Sequence, residues 1–211
     1  LHLSIRRQRQ MCIRDSRYMK ETDMAEENMI KDYIGSSADK RVDIIIKNYT
    51  RFMGIVDGYT DGLRYMIEAE IDSNSRNDIA ELGVRVQTGG MTGDPTAKHA
   101  IRNVMTRDAL INCDFSVDVL DGVDHPEVYM KDAHILRDMR RDYKLFNSQL
   151  CILGKDQDYF VKYISKEITL VAIAQDLGIS YETVQQNMTR NKKLVKSQVV
   201  GFMERKLGGI A

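Results

Sequence analysis

Only two prolines, Pro95 and Pro126, stand in 211 residues, and apolar residues recur at helical spacing over runs too long for strands. From Asp39 to about Asp72, Val42, Tyr49, Val56 and Leu63 stand seven apart, with Ile45, Phe52, Tyr59 and Met66 three residues further on each time. A second run begins at Pro126: Tyr129, Leu136, Tyr143 and Leu150 repeat every seven residues, and Met139, Phe146 and Leu153 fill the second position. Such a repeat puts one apolar seam on a helix. The pattern predicts an all-α fold, a long helical hairpin or coiled-coil-like helices, with the first seam on one helix of more than thirty residues. Periodicity leaves open whether the seams meet within one chain or between two copies. At 43% hydrophobic residues the chain can bury one or two modest cores. No run of eighteen apolar residues exists, so no membrane span is expected.

Gly54, Gly58 and Gly62 fall four apart along the first long helix. Each costs about 1 kcal/mol against alanine in a helix interior. Two readings stay open: close approach by a partner helix, or a locally weak and bent helix. Further on, Gln87–Gly93 reads as a glycine-rich loop, followed by Asp94-Pro95-Thr96, an N-cap and first-turn signal for the next helix. No Gly-Lys-Ser/Thr follows, and Gly83-Val-Arg-Val86 is too short and polar for the buried strand a phosphate loop needs, so a linker is expected. The helix from Pro95 shows one stripe, Ala97, Ala100, Ile101, Val104, Met105 and Ile111. A turn-rich stretch, Asp114–His125, precedes Pro126, and Gly154 reads as the C-terminal cap of the second long helix. A shorter helical pattern covers 23–34. The expected division is 17–154 as a helical domain and 155–211 as a second domain.

The first sixteen residues, LHLSIRRQRQMCIRDS, carry four arginines and lack the apolar stretch of a signal peptide. A basic nucleic-acid-binding arm is one reading. Met11-Cys-Ile-Arg-Asp15 also resembles a translated sequencing adapter, which implies a non-native segment at 1–16 and a start at Met19 or Met24. The three cysteines, Cys12, Cys113 and Cys151, are scattered and odd in number, which argues against a disulfide framework and fits a reducing compartment.

His99, Cys113, His125 and His134 match no metal-ligand spacing, and no nucleophile, base and orienting group share a motif. The expectation is a protein without catalytic residues, metal or cofactor.

The C-terminal segment carries the functional signal. Residues 169–194 read TLVAIAQDLGISYETVQQNMTRNKKL. A helix over Leu170–Leu177, a turn at Gly178-Ile179-Ser180 and a second helix from Tyr181 make a helix-turn-helix pattern. Ala174 is small enough for the crossing point, Gly178 tolerates positive φ, and Val184 returns to the crossing. Ile173, Leu177, Ile179 and Met188 complete the expected core, and Ser180 is the natural N-cap. Six Lys and Arg (Arg190, Lys192, Lys193, Lys196, Arg205, Lys206) against Glu204 lie between Thr183 and Leu207. By contrast, 17–154 carries a net charge of about −6, a surface suited to self-association or to basic patches on polymerase rather than to DNA. Tyr181, Glu182, Gln185, Gln186 and Thr189 can hydrogen-bond base edges in a major groove, while Ser180, Arg190, Lys192 and Lys193 suit phosphates. A solvated helix in a protein-binding corner is the plain alternative.

Leu170–Leu194 resembles the fourth region of bacterial sigma factors, with Val184, Met188, Arg190 and Leu194 in register. It departs at Asn187 and Asn191, where that family commonly has Arg and Ala. Over most of 38–205 the chain resembles phage and prophage transcriptional regulators of the ArpU and RinA type. That resemblance implies a regulator of late phage or packaging genes in the cytoplasm of a Gram-positive host. The expected partners are double-stranded DNA, from the C-terminal corner, and host RNA polymerase as a candidate for the acidic surface. A homodimer is expected, because one small helix-turn-helix reads few base pairs. Alternatives are a DNA-packaging protein such as a small terminase subunit, and a sigma-like factor. The last is weakened because no upstream segment shows the basic, aromatic-rich helix that melts promoter DNA.

Overall fold

The computed structural model describes residues 29–82, 95–116 and 118–208. The adapter-like segment at 1–16, the glycine-rich loop, the short strand candidate before it and most of the 23–34 pattern lie outside these residues. Among the described residues the fold is all-α, with no strand. After a helical turn at 29–34 come α1 (Ala38–Lys47), α2 (Phe52–Leu82), α3 (Pro95–Asn112) and α4 (Pro126–Gln149). A 3₁₀ segment (Leu150–Asp156) then leads to α5 (Gln157–Ile164), α6 (Leu170–Leu177) and α7 (Tyr181–Gly208). Both prolines open helices, as their fixed φ and missing amide hydrogen favour. No helix among the described residues is long and apolar enough to cross a membrane.

The chain divides into two compact units, Thr50–Ser148 and a second that joins the segments on either side of it. This differs from the expected cut after Gly154. Helix α1, expected with the other N-terminal helices, belongs instead with the C-terminal segment. The reason is side-chain pairing between positions some 150 residues apart, described below.

In the unit at 50–148, α2 and α4 run antiparallel, as three contacts along them show. Phe52 stacks on Tyr143 with ring centroids 5.4 Å apart and planes 7° from parallel. Arg140 Nη2 donates to Asp57 Oδ1 at 3.0 Å and to Thr60 Oγ1 at 2.5 Å. Tyr129 donates its hydroxyl proton to Glu70 Oε2 at 2.7 Å. The seam residues Phe52, Val56, Leu63, Leu136, Met139 and Phe146 are buried, so the heptad pattern is spent on an intramolecular hairpin. Burial and the Glu70 carboxylate push the Tyr129 phenol up to about 12. Glu70 also accepts from the Asp124 amide, and Asn74 Nδ2 donates to Gly122 O, which ties the turn before Pro126 to α2. Helix α3 packs antiparallel on α2 as well, with Arg107 Nε 3.5 Å from Asp61 Oδ1.

Four expectations fail here. The first long helix is broken: α1 ends at Lys47, because Asn48 turns its own amide and its side chain back onto Ile44 O (3.1 and 3.0 Å) and so caps the helix. Met66 of the seam is exposed. The question left open by the glycine row is separate from these: among the described residues no helix approaches it, since a Cβ placed on Gly54, Gly58 or Gly62 meets nothing within 4 Å. Helix α3 buries Thr106, Ala109 and Leu110, while its expected apolar stripe, Ala97, Ala100, Ile101 and Val104, faces outward. Finally, α4 stops at Gln149 rather than Gly154, which instead kinks the 3₁₀ segment at φ 52°, a backbone state that glycine adopts without a Cβ penalty.

The second unit is held by α1 lying antiparallel on α7. Val42 and Ile45 are buried with Val195, Val199 and Met203, and two carboxylates meet two ammoniums above them. Lys196 Nζ lies 2.8 Å from Asp39 Oδ2 and 2.7 Å from Asp43 Oδ2, and Lys192 Nζ lies 3.2 Å from Asp43 Oδ1. Burial raises the Asp43 carboxyl, but hydrogen bonds from Lys196 and Lys192 outweigh it and hold it below the ordinary 3.8. Burial likewise works against the Lys196 ammonium, and the two carboxylates overcome it to hold its value above 10.5. The stabilisation from Asp43 is present above its ordinary value and lost as pH falls through its lowered one. That from Lys196 is present below 10.5 and lost as pH rises through its raised one. Lys196→Met is therefore expected to cost about 1 kcal/mol near neutrality. The gap between mutant and wild-type melting midpoints should shrink below about pH 4 and above about pH 10.5. A pH-independent gap in a series of thermal melts would refute the clasp.

Candidate nucleic-acid interface

The local chemistry of the corner follows from its sequence. Thr169 caps α6 by accepting the Ala172 amide on Oγ1 at 3.3 Å. Gly178 ends the helix in the left-handed region (φ 65°, ψ 30°), and the Ile179 amide reaches back to Ala174 O at 3.1 Å. This is the closing geometry that glycine supports after a helix. Ser180 then caps α7: its Oγ accepts the Thr183 amide at 3.2 Å and pairs with Thr183 Oγ1 at 2.9 Å. Two helices joined by a three-residue turn result, as the residue pattern predicts.

Beneath them Ile173, Val184 and Met188 are buried together with Phe160 and Ile164 of α5 and Leu150 and Leu153 of the 3₁₀ segment. The core is thus wider than the expected set and also differs in membership. Leu177 and Ile179 are exposed, at 46% and 38%, because the turn carries them past the end of the contact with α7. Leu194 is exposed too, at 40%. Asn191 is buried, and its Nδ2 donates to Asp156 Oδ2 at 3.1 Å. A polar residue therefore stands where an alanine fits the sigma-like pattern because it ties α7 to the preceding segment.

Each of the nine residues read as DNA-facing, Ser180, Tyr181, Glu182, Gln185, Gln186, Thr189, Arg190, Lys192 and Lys193, has an exposed side chain. Gln185, Gln186, Thr189, Arg190 and Lys193 line a single shallow concavity on α7. Within it the two glutamine amides offer both donors and acceptors. The Thr189 hydroxyl donates to Gln185 O at 2.8 Å, which leaves its oxygen lone pairs free to accept. Arg190 and Lys193 have no carboxylate partner among the described residues and supply the positive charge. Ser180 spends its hydroxyl on the cap, leaving Tyr181 and Glu182 exposed in the first turn of α7.

Lys192 does not belong to this face. Successive side chains are about 100° apart around a helix, and Lys192 turns toward α1, where Asp43 holds it. Lys196 is held the same way, so two of the six cations counted in this segment are neutralised within the chain. The missed partners, Asp39 and Asp43, left a signal in the sequence: two acids four apart match two lysines four apart, the register of antiparallel helices.

Among the described residues no group of three or more His, Cys, Asp or Glu side chains could hold a metal ion. His99 and His134 are exposed, and His125 lies 3.3 Å from Glu127 on the surface. No family model matches the chain, and neither a curated protein nor a solved structure matches it.

Proposed function

We propose that this chain is a non-catalytic, sequence-specific DNA-binding transcriptional regulator of the phage and prophage ArpU/RinA type, working in a bacterial cytoplasm with α7 in the major groove. One observation carries the reading. A row of amide and hydroxyl side chains stands outward on the second helix of a tightly turned pair, flanked by two cations that have no carboxylate partner among the described residues. Major-groove edges present distinct donor and acceptor patterns, and glutamine pairs with adenine through both of its polar atoms. Gln185 and Gln186 are assigned the base contacts, with Tyr181, Glu182 and Thr189 flanking them. Arg190 and Lys193 take phosphates, and Ser180 fixes the helix start next to the backbone. Two copies would read two half-sites, and host RNA polymerase is the second partner in this reading.

The deciding experiment is selection of preferred duplexes from a random pool by the full chain. A recurrent sequence is expected, and recovery of an unbiased pool would refute the reading. On the selected duplex, Gln185→Ala should reduce discrimination at one base pair by about 1–3 kcal/mol while barely changing affinity for unrelated DNA.

A further inference from the structure

We infer that α1 is a built-in competitor for DNA: the Asp43 carboxylate occupies Lys192 and keeps it from a phosphate, so the hold of α1 on α7 sets how tightly the chain grips a duplex. The inference rests on the DNA reading of α7 above and concerns its affinity, not the bases it reads.

The two lysines that face α1 are held differently. Lys196 Nζ has two carboxylates, Asp39 at 2.8 Å and Asp43 at 2.7 Å, and its side chain is 19% exposed. Lys192 Nζ has one, Asp43 at 3.2 Å, and the side chains of that pair are 47% and 44% exposed. A single pair so open to water is weak and screened by salt. Lys196 is a fixture, whereas Lys192 is a cation that another anion can take. Lys196 also grips Asp43 through Oδ2, which keeps the competing carboxylate in place.

The competing anion is a DNA phosphate. Thr189 and Lys192 are three residues apart and so neighbours on the surface of α7, and Thr189 lines the concavity with Gln185, Gln186, Arg190 and Lys193. A duplex laid there brings its phosphates to Arg190 and Lys193. The flexible four-carbon stem of Lys192 lets its ammonium swing toward the same backbone once Asp43 lets go. Carboxylate and phosphate oxygens offer an ammonium the same charge-assisted hydrogen bond, so a Lys192 held by α1 is lost to the duplex.

Salt-dependent binding of the full chain to a mixed-sequence duplex, beside thermal melts, tests this. Asp43→Asn keeps the shape of the side chain and frees Lys192. It should melt lower than wild type and yet bind about three- to tenfold tighter at about 50 mM salt, with the slope of log affinity against log salt steeper by about 0.9, one added phosphate contact. A clasp with a structural role alone would lower binding together with stability. Two controls separate the release of Lys192 from the loss of a negative charge. Asp39→Asn removes the same charge one turn away and should keep the wild-type slope, and Lys192→Met added to Asp43→Asn should restore it. Lys192→Met alone should also keep that slope, a result that stands even if Asp43→Asn fails to fold. A weaker or unchanged Asp43→Asn, a gain that survives the added Lys192→Met, an equal gain from Asp39→Asn, or a flatter slope for Lys192→Met alone would each overturn the inference. Duplex selection is scored separately. Tightening without a recurrent sequence removes the sequence-specific reading and leaves this inference standing, a recurrent sequence with Asp43→Asn unchanged does the reverse, and no binding by any variant overturns both.

Discussion

Phe160→Ala is expected to destabilise the unit that carries α6 and α7 by about 3–5 kcal/mol, the usual cost of emptying a buried phenylalanine site. Phe160 is 1% exposed and packs in the core that also buries Ile173, Val184 and Met188. Its loss removes apolar contact and leaves a cavity under the crossing of the two helices. The angle between α6 and α7 depends on that filling, so duplex binding should fall together with stability. Urea unfolding measures the first effect and a binding titration the second. Phe160→Leu keeps most of the volume and should cost less than about 1.5 kcal/mol. If alanine costs no more than leucine, Phe160 is not the centre of this core.

The second large effect concerns Arg190 and Lys193, the two exposed cations of the α7 concavity. Under the proposed reading, changing Arg190 and Lys193 together to glutamate would remove two phosphate contacts and put two like charges against the duplex. The slope of log affinity against log salt should flatten by about 1.8, at roughly 0.9 per contact, and affinity at low salt should drop about a hundredfold or more. Lys192→Glu gives the contrast. It breaks a pair with Asp43 on the far side of the helix, so it should perturb stability more than the salt slope. Equal salt slopes for the double variant and wild type would refute this face as the DNA contact.

Much of the fold was legible in the residues. The heptad positions of α2 and α4 name the buried seam almost position by position, because a helix with one apolar stripe can hide it in only one way. Their antiparallel pairing within the chain was not legible, since the same stripe serves a second copy equally well. The break at Asn48 escaped because it rests on one side chain competing for a carbonyl, a local choice that hydrophobic spacing does not record. In the C-terminal corner the spacing of Gly178, Ser180 and Val184 revealed the turn, the cap and the return to the core, since each residue type answers a specific backbone need there. Counting charges along the segment misled. Lys192 and Lys196 read as part of a basic face, yet a sequence count cannot tell a cation aimed at solvent from one already satisfied by Asp39 or Asp43. The same long-range pairs moved α1 into the C-terminal unit and erased the expected boundary at Gly154.

The unbroken run of α7 from Tyr181 to Gly208 has a mechanical consequence. At 1.5 Å per residue, Gln186 lies about 15 Å along the axis from Lys196, which α1 clasps, with hydrogen-bonded turns between them. A stiff rod of that length works as a lever. A tilt of about 5° at the clasp would swing the glutamine end by about 1 Å, enough to stretch a base-edge hydrogen bond out of range. Whatever loosens the grip of α1 would thereby retune the reading tip without touching it.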